Sequence, residues 1–106
     1  MQERPYGFVA FWKATDSWFA ADEPTKKNFM VRIAAINEEA RSKGVKMHGP
    51  YDCSWSCEWR YFCFWECPDI EVLQETMGML VEIGDINLYN IQHHYVGRRT
   101  LADLVQ

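Results

Sequence analysis

The sequence lacks a long basic run, an apolar stretch of membrane length and a complete catalytic motif, and each absence removes a class of function. With 11 Lys and Arg against 15 Asp and Glu, the formal net charge is −4. A nucleic-acid surface needs a dense basic patch to neutralise phosphates, so no nucleic-acid partner is expected. No stretch approaches the roughly 20 apolar residues of a membrane span, so no membrane partner is expected either. The start, MQERPYGFVAFWKA, has Glu3 and Arg4 before a short apolar run but neither the h-region nor the small-residue cleavage site of a signal peptide. It reads as the first strand of a cytoplasmic protein. Repeats, low-complexity segments and linkers are missing too, and 106 residues leave room for a single domain, 1–106, with a modest core.

What is present divides into alternating patterns. Residues 6–14, YGFVAFWKA, are β-rich and aromatic, which predicts a strand. TDSWFAADEPTKKNF reads as a loop that ends in a helix start at Pro24 and Thr25, with Asp22 and Glu23 just upstream. Phe29, Ile33, Ile36 and Ala40 recur at helical spacing to about Lys43, and Gly44 stops the helix. Two strands, 46–56 and 59–67, follow as a hairpin turning near Cys57 and Glu58. Pro68 and Asp69 open a second helix with a stripe of Ile70, Leu73, Met77, Leu80 and Val81 before Gly84. A last strand spans 86–96. The order βαββαβ is the split βαβ arrangement of the α+β ferredoxin-like fold: a four-stranded antiparallel sheet with two helices on one face.

The pieces KATDSWFAADEPTKKNF, FWECPDIEVL and YVGRRTLADL resemble small stand-alone proteins of the dimeric α+β barrel superfamily, among them darcynin-like and other uncharacterised families. In these a Trp-containing loop leads into the first helix, and a Glu ends the third strand before an Asp-capped second helix. The resemblance implies a homodimer whose two sheets face each other around a central cavity. It does not imply one chemistry: the superfamily includes monooxygenases, isomerases, cyclases, haem-degrading enzymes and proteins without known activity, and fold does not determine function.

The segment CSWSCEWRYFCFWEC, residues 53–67, is the sharpest local feature. Both CxxxC pairs, Cys53/Cys57 and Cys63/Cys67, would be brought onto one face by a helix, as a metal or twin-cysteine motif requires. Along a strand, four residues span about 13 Å, too far for one disulfide or one zinc ion. Cross-strand pairing stays open: Cys53 faces Cys63 with a tight turn, or Cys53 faces Cys67 and Cys57 faces Cys63 with a wider loop. Tyr51, Trp55, Trp59, Tyr61 and Trp65 share the odd parity, so the expected role of this face is core, with cysteine acting as a small hydrophobe. A metal-binding or thiol-redox protein built on the four cysteines is the alternative function.

The even-numbered positions of the hairpin, His48, Asp52, Arg60, Phe62, Phe64 and Glu66, and those of the last strand, Asn90, Gln92 and His94, form a mixed polar face. With the odd faces on the helices, these residues would line the cavity between sheets, as a small-molecule site with a few convergent polar groups. His94 is then the candidate proton-transfer group, with Glu66 or Asp52 to orient it or act as base and Arg60 to hold an anionic oxygen. Trp12 and Trp18 could wall a flat ligand. The expectation is a homodimer binding a small organic ligand without a cofactor, with monooxygenase, isomerase or cyclase chemistry as the enzymatic form. The plainer reading of His94 and Glu66 is a hydrated sheet face. His93 and His94 point to opposite sides and make no two-histidine metal site.

Overall fold

The computed structural model describes residues 4–100. Glu3 and the last residues of the YVGRRTLADL piece, 101–104, lie outside the described residues. The elements are β1 (Tyr6–Ala14), α1 (Asp16–Ala20), α2 (Glu23–Ser42), β2 (Lys46–Asp52), β3 (Tyr61–Cys67), α3 (Ile70–Glu82) and β4 (Asn90–Arg98). The sheet order is β2-β3-β1-β4, all antiparallel, which is the ferredoxin-like topology expected from the element order. The segment read as a loop before α2 contains the short helix α1.

Local chemistry sets the helix limits. Asp22 Oδ1 accepts from the Thr25 backbone N–H at 2.8 Å and Asp69 Oδ1 from that of Val72 at 2.9 Å, so each carboxylate satisfies a first-turn donor. Both long helices end the same way. Gly44, with φ +98°, donates to Arg41 O while Val45 donates to Ala40 O; Gly84, with φ +88°, donates to Val81 O while Asp85 donates to Leu80 O. These are the paired bonds of a glycine-terminated helix, and they fix where the next residue points.

Helices α2 and α3 cover one face of the sheet. Phe8, Ala10, Cys63, Trp65 and Cys67 of the sheet meet Ile36, Ala40, Leu73 and Leu80 of the helices, together with Val45. The odd-numbered face of β3 is core, as its pattern suggests: Cys63, Trp65 and Cys67 are buried. Tyr51, Trp55 and Trp59 depart from that expectation. The hairpin is not continuous strand, because β2 ends at Asp52 and β3 begins at Tyr61, leaving an eight-residue connection. Trp55 stands on it 87% exposed. The β2–β3 register also shifts between His48 and Tyr51, at the Gly49–Pro50 cis peptide, which sends Tyr51 to the uncovered face beside Phe62.

The larger departure is in β4. Even-numbered residues of β1 pair with odd-numbered residues of β3 but with even-numbered residues of β4: Ala10 lies opposite both Cys63 and His94. The covered face therefore carries Asn90, Gln92 and His94, and the open face carries Ile91, His93 and Tyr95. The strand starts at Asn90 rather than at 86, with Tyr89 packed on Trp18 and Phe29.

The two faces predict different responses to truncation. Trp65→Ala should lower stability by about 3–5 kcal/mol, the usual cost of deleting a buried indole. Phe64→Ala, next to it on the open face and 38% exposed, should cost far less. Thermal melts of the two variants decide this, and equal losses would contradict the face assignment.

Candidate functional site

The sheet divides the residues singled out by sequence into two groups. Trp12, Asn90, Gln92 and His94 lie on the helix-covered face, whereas His48, Phe62, Phe64 and Glu66 lie on the open one. His94 and Glu66 are thus on opposite faces and form no acid–base pair: the expectation puts the odd faces of β3 and β4 together on the helices, whereas the odd face of β3 is joined there by the even face of β4. Asp52 and Arg60 pair with each other instead, 3.5 Å apart at the end of the hairpin. Bonds from the Ser54 backbone and hydroxyl, at 2.9 and 2.7 Å, hold the Asp52 carboxyl below the usual carboxylate range. Trp18 packs edge-on against Phe29 and Tyr89, in neither cavity.

On the covered side, a cleft of about 110 Å³ lies between α2, α3 and the sheet, lined by Phe8, Trp12, Ile33, Cys63, Met77 and Leu80 among others. Its polar end is Asp85, which the sequence reading missed. The glycine-terminated end of α3 puts Asp85 one residue past Gly84, under the last turn and facing β4. Gln92 Nε2 donates to Asp85 Oδ2 at 2.8 Å and Asn90 Nδ2 to Oδ1 at 3.0 Å. Gln92 Oε1 is in turn 2.6 Å from His94 Nε2. Since the Gln92 oxygen can only accept, His94 carries its proton on Nε2 in this arrangement. The result is a donor chain, His94 to Gln92 to Asp85, of which Gln92 and Asp85 line the mostly apolar cleft together with Asn37, while His94 lies behind Gln92. The His94 ring also lies 5.0 Å from that of Phe8.

Burial sets the titration of these groups. It raises the Asp85 carboxyl above the ordinary carboxylate value, only partly offset by the bonds from Gln92 and Asn90. It lowers the His94 imidazole, with the charge of neighbouring His93 acting in the same direction. Burial pushes the Cys63 thiol up to about 11, so this thiol in the cleft wall stays neutral. A signal for Asp85 was available: an acidic residue directly after a helix-ending glycine is carried back under the helix.

The open face is an aromatic surface. Phe11 has Phe62, Trp59 and Tyr95 around it at ring distances of 5.7, 6.5 and 6.4 Å. His48 stacks on Phe64 at 5.9 Å, His93 meets Tyr95 at 4.7 Å and Lys13 Nζ sits 5.3 Å over the Trp59 ring. Toward the Tyr6 end a shallow hollow of about 470 Å³ includes Gly7, Val9, Phe64, Glu66 and Tyr95, with Arg98 and Arg99 at its rim. Glu66 is within 4.0 Å of Arg99 and 3.9 Å of Lys46, and Arg98 donates to the Tyr6 hydroxyl.

The four cysteines do not converge. Cys63 and Cys67 are in the core, while Cys53 and Cys57 lie in the β2–β3 connection. Among the described residues no group of three or more His, Cys, Asp or Glu side chains is placed to hold a metal ion. Nor is any described helix long and apolar enough to cross a membrane.

No protein-family model matches the sequence, and no curated protein matches it. Solved structures do resemble it. A mutant chlorite dismutase from Candidatus Nitrospira defluvii matches with a TM-score of 0.76 and 17% identity over 98% of this chain and 44% of that one. Another mutant of the same enzyme matches with a TM-score of 0.70 and 12% identity over 95% and 42%. A dimeric ferredoxin-like protein of unknown function from Thermobifida fusca aligns more loosely, with a TM-score of 0.49 and 7% identity over 90% and 92%. The chain spans less than half the length of the chlorite dismutase chains it matches. The likeness is one of fold, and the strand order agrees with the ferredoxin-like arrangement expected from the sequence.

The shifted groups predict opposite pH responses. Asp85, raised in the folded state, stabilises the fold most below its unfolded value, and that contribution is lost as pH rises through the folded value. Asp85→Asn should therefore flatten the decline in melting temperature that starts in the ordinary carboxylate range. His94, lowered in the folded state, contributes stability that is present above about 6.5 and is lost on acidification. His94→Gln should remove part of the acid-side loss. Melts across pH 3 to 8 check both signs, and a parent-like profile in each variant would contradict them.

Proposed function

We propose that the chain acts as a cytoplasmic homodimer joined through the aromatic open faces of two sheets, each copy holding a small organic molecule in the cleft between helices and sheet. The observation that carries the ligand reading is the hydrogen-bonded Asp85–Gln92 pair, backed by His94, which sets convergent polar groups in the wall of a mostly apolar cleft. The dimer rests on the open face: Tyr51, Ile91 and Tyr95 are 49%, 51% and 60% exposed, and so many neighbouring apolar side chains on one uncovered sheet call for a partner surface.

The volume limits the ligand. About 110 Å³ admits a molecule of a few non-hydrogen atoms, or one ring of a larger molecule that parts α2 from α3. An enzymatic role, as an isomerase or cyclase of the cofactor-free kind, would rest on His94 with Asp85 in place of Glu66. A carboxyl biased toward its neutral form and an imidazole biased toward its own, here linked through the Gln92 amide, are the two kinds of group that give and take a proton without leaving a net charge. A second reading, favoured by the 470 Å³ hollow with Glu66 and Arg99, puts the ligand between the paired sheets.

Two measurements test these statements. The parent chain should sediment as a dimer at micromolar concentration, and Phe62→Glu should sediment as a monomer with an unchanged circular dichroism spectrum; a monomeric parent would remove the interface. With phenol as the probe, amide chemical-shift changes should centre on Trp12, Ile33, Leu80 and Gln92. Changes confined to Phe64, Glu66 and Gly97 would move the site to the open face, and a lack of change at both would remove the ligand reading.

A further inference from the structure

We infer that Cys53 and Cys57 form a reversible dithiol site, closed to an intramolecular disulfide by exchange with a small-molecule disulfide. The spacing that is unusable on a strand becomes usable here because the connection after β2 bends into a single turn: Ser56 and Cys57 both donate their N–H to Cys53 O, at 3.0 and 3.2 Å. That turn brings the thiols to one acceptor. Cys53 Sγ is 3.5 Å and Cys57 Sγ 3.8 Å from Trp59 O, and Cys57 Sγ is also 3.5 Å from Cys53 O. Residues four apart on a helical turn have Cβ atoms about 5–6 Å apart, whereas a disulfide needs about 3.5–4.5 Å. The turn must therefore tighten by about 1–2 Å, and it lies in an exposed connection whose neighbour Trp55 is packed against nothing that would resist.

The two sulfurs have different access, which assigns their order. Cys57 is exposed and Cys53 is buried. The Cys57 thiolate attacks one sulfur of the small-molecule disulfide, forming a mixed disulfide and expelling one thiolate. The Cys53 thiolate then attacks the Cys57 sulfur and expels the second. Two protein thiols are oxidised to one disulfide, the small-molecule disulfide is reduced to two thiols, and the protein's two thiol protons pass to the leaving thiolates. Burial and the adjoining Cys57 thiol raise the Cys53 thiol above its ordinary value, so it serves as the second, intramolecular nucleophile. Cys63 and Cys67, buried in β3 and pushed up to about 11, take no part. Closing the bridge also withdraws both S–H donors from the carbonyl of Trp59, whose ring contacts Phe11 and His93 on the open face.

The test treats the native, reduced full chain with oxidised glutathione and maps the products by peptide mass spectrometry. The expected product has a single Cys53–Cys57 bridge with Cys63 and Cys67 unmodified, reversed by dithiothreitol. Cys53→Ser should accumulate a glutathione adduct on Cys57, and Cys57→Ser, a change at an exposed side chain, should show no thiol loss. A persistent adduct on Cys57 of the parent, four unreacted thiols, a bridge that involves Cys63 or Cys67, or continued thiol loss in Cys57→Ser would each overturn the proposal.

Discussion

The pairing of β1 with β3 on one side and β4 on the other determines where every other functional group in this molecule lies. β1 is flanked by both partners, and its register against each decides which residues meet the helices. Because side chains alternate along a strand, changing either register by one residue would exchange the two faces of that neighbour. The core, the cleft and the open aromatic surface all follow from this one arrangement. Phe8 and Ala10 define the covered side, and Val9 and Phe11 the uncovered one.

Two surfaces with different physical characters result. The covered side is apolar but ends in a hydrogen-bonded polar chain of half-buried groups, Asp85, Asn90, Gln92 and His94, each of which has a partner. Buried polar groups paired in this way specify geometry more than they add stability, since each bond replaces one made to water. The open side has the reverse character. Its rings are half-exposed and touch each other, and its ion pairs at Glu66 are long and solvated, with little energetic weight. The character of this face is therefore set by its aromatic residues rather than by its charges.

Much of the fold was legible in the sequence because it rests on local signals. Helical spacing from Phe29 to Ala40, the Asp22 and Asp69 caps and the terminal Gly44 and Gly84 are all short-range features that survive without tertiary information. The alternation in YFCFWEC likewise identified the buried side of β3. The candidate site was less legible because it depends on a relation between strands distant in sequence. Nothing within residues 90–98 says whether even or odd positions face the helices; that is settled by which residue of β1 lies opposite. The shift near Gly49 and Pro50 is of the same kind, and so is the turn that takes Cys53 and Cys57 off the strand. Asp85 was overlooked for a different reason: it lies in a connection, and only the helix-ending bond from its N–H to Leu80 O carries it to the cleft.

The bonds from Asn90 and Gln92 to Asp85 have a consequence for the edge strand itself. A strand at the border of a sheet is held from one side only, and sliding it by two residues preserves both its pleat and its face pattern, so hydrophobic packing alone discriminates poorly against that error. Asp85 is anchored to α3, not to the sheet, and it accepts from two successive covered-side positions of β4. A slide of two residues one way would put Leu88 where an amide belongs and leave a half-buried carboxylate short of a donor; the other way it would put the ring of His94 there, whose N–H has a different reach. The carboxylate thus acts as a fixed peg against which β4 is gauged, so that the correct alignment of the last strand is checked by an element outside the sheet.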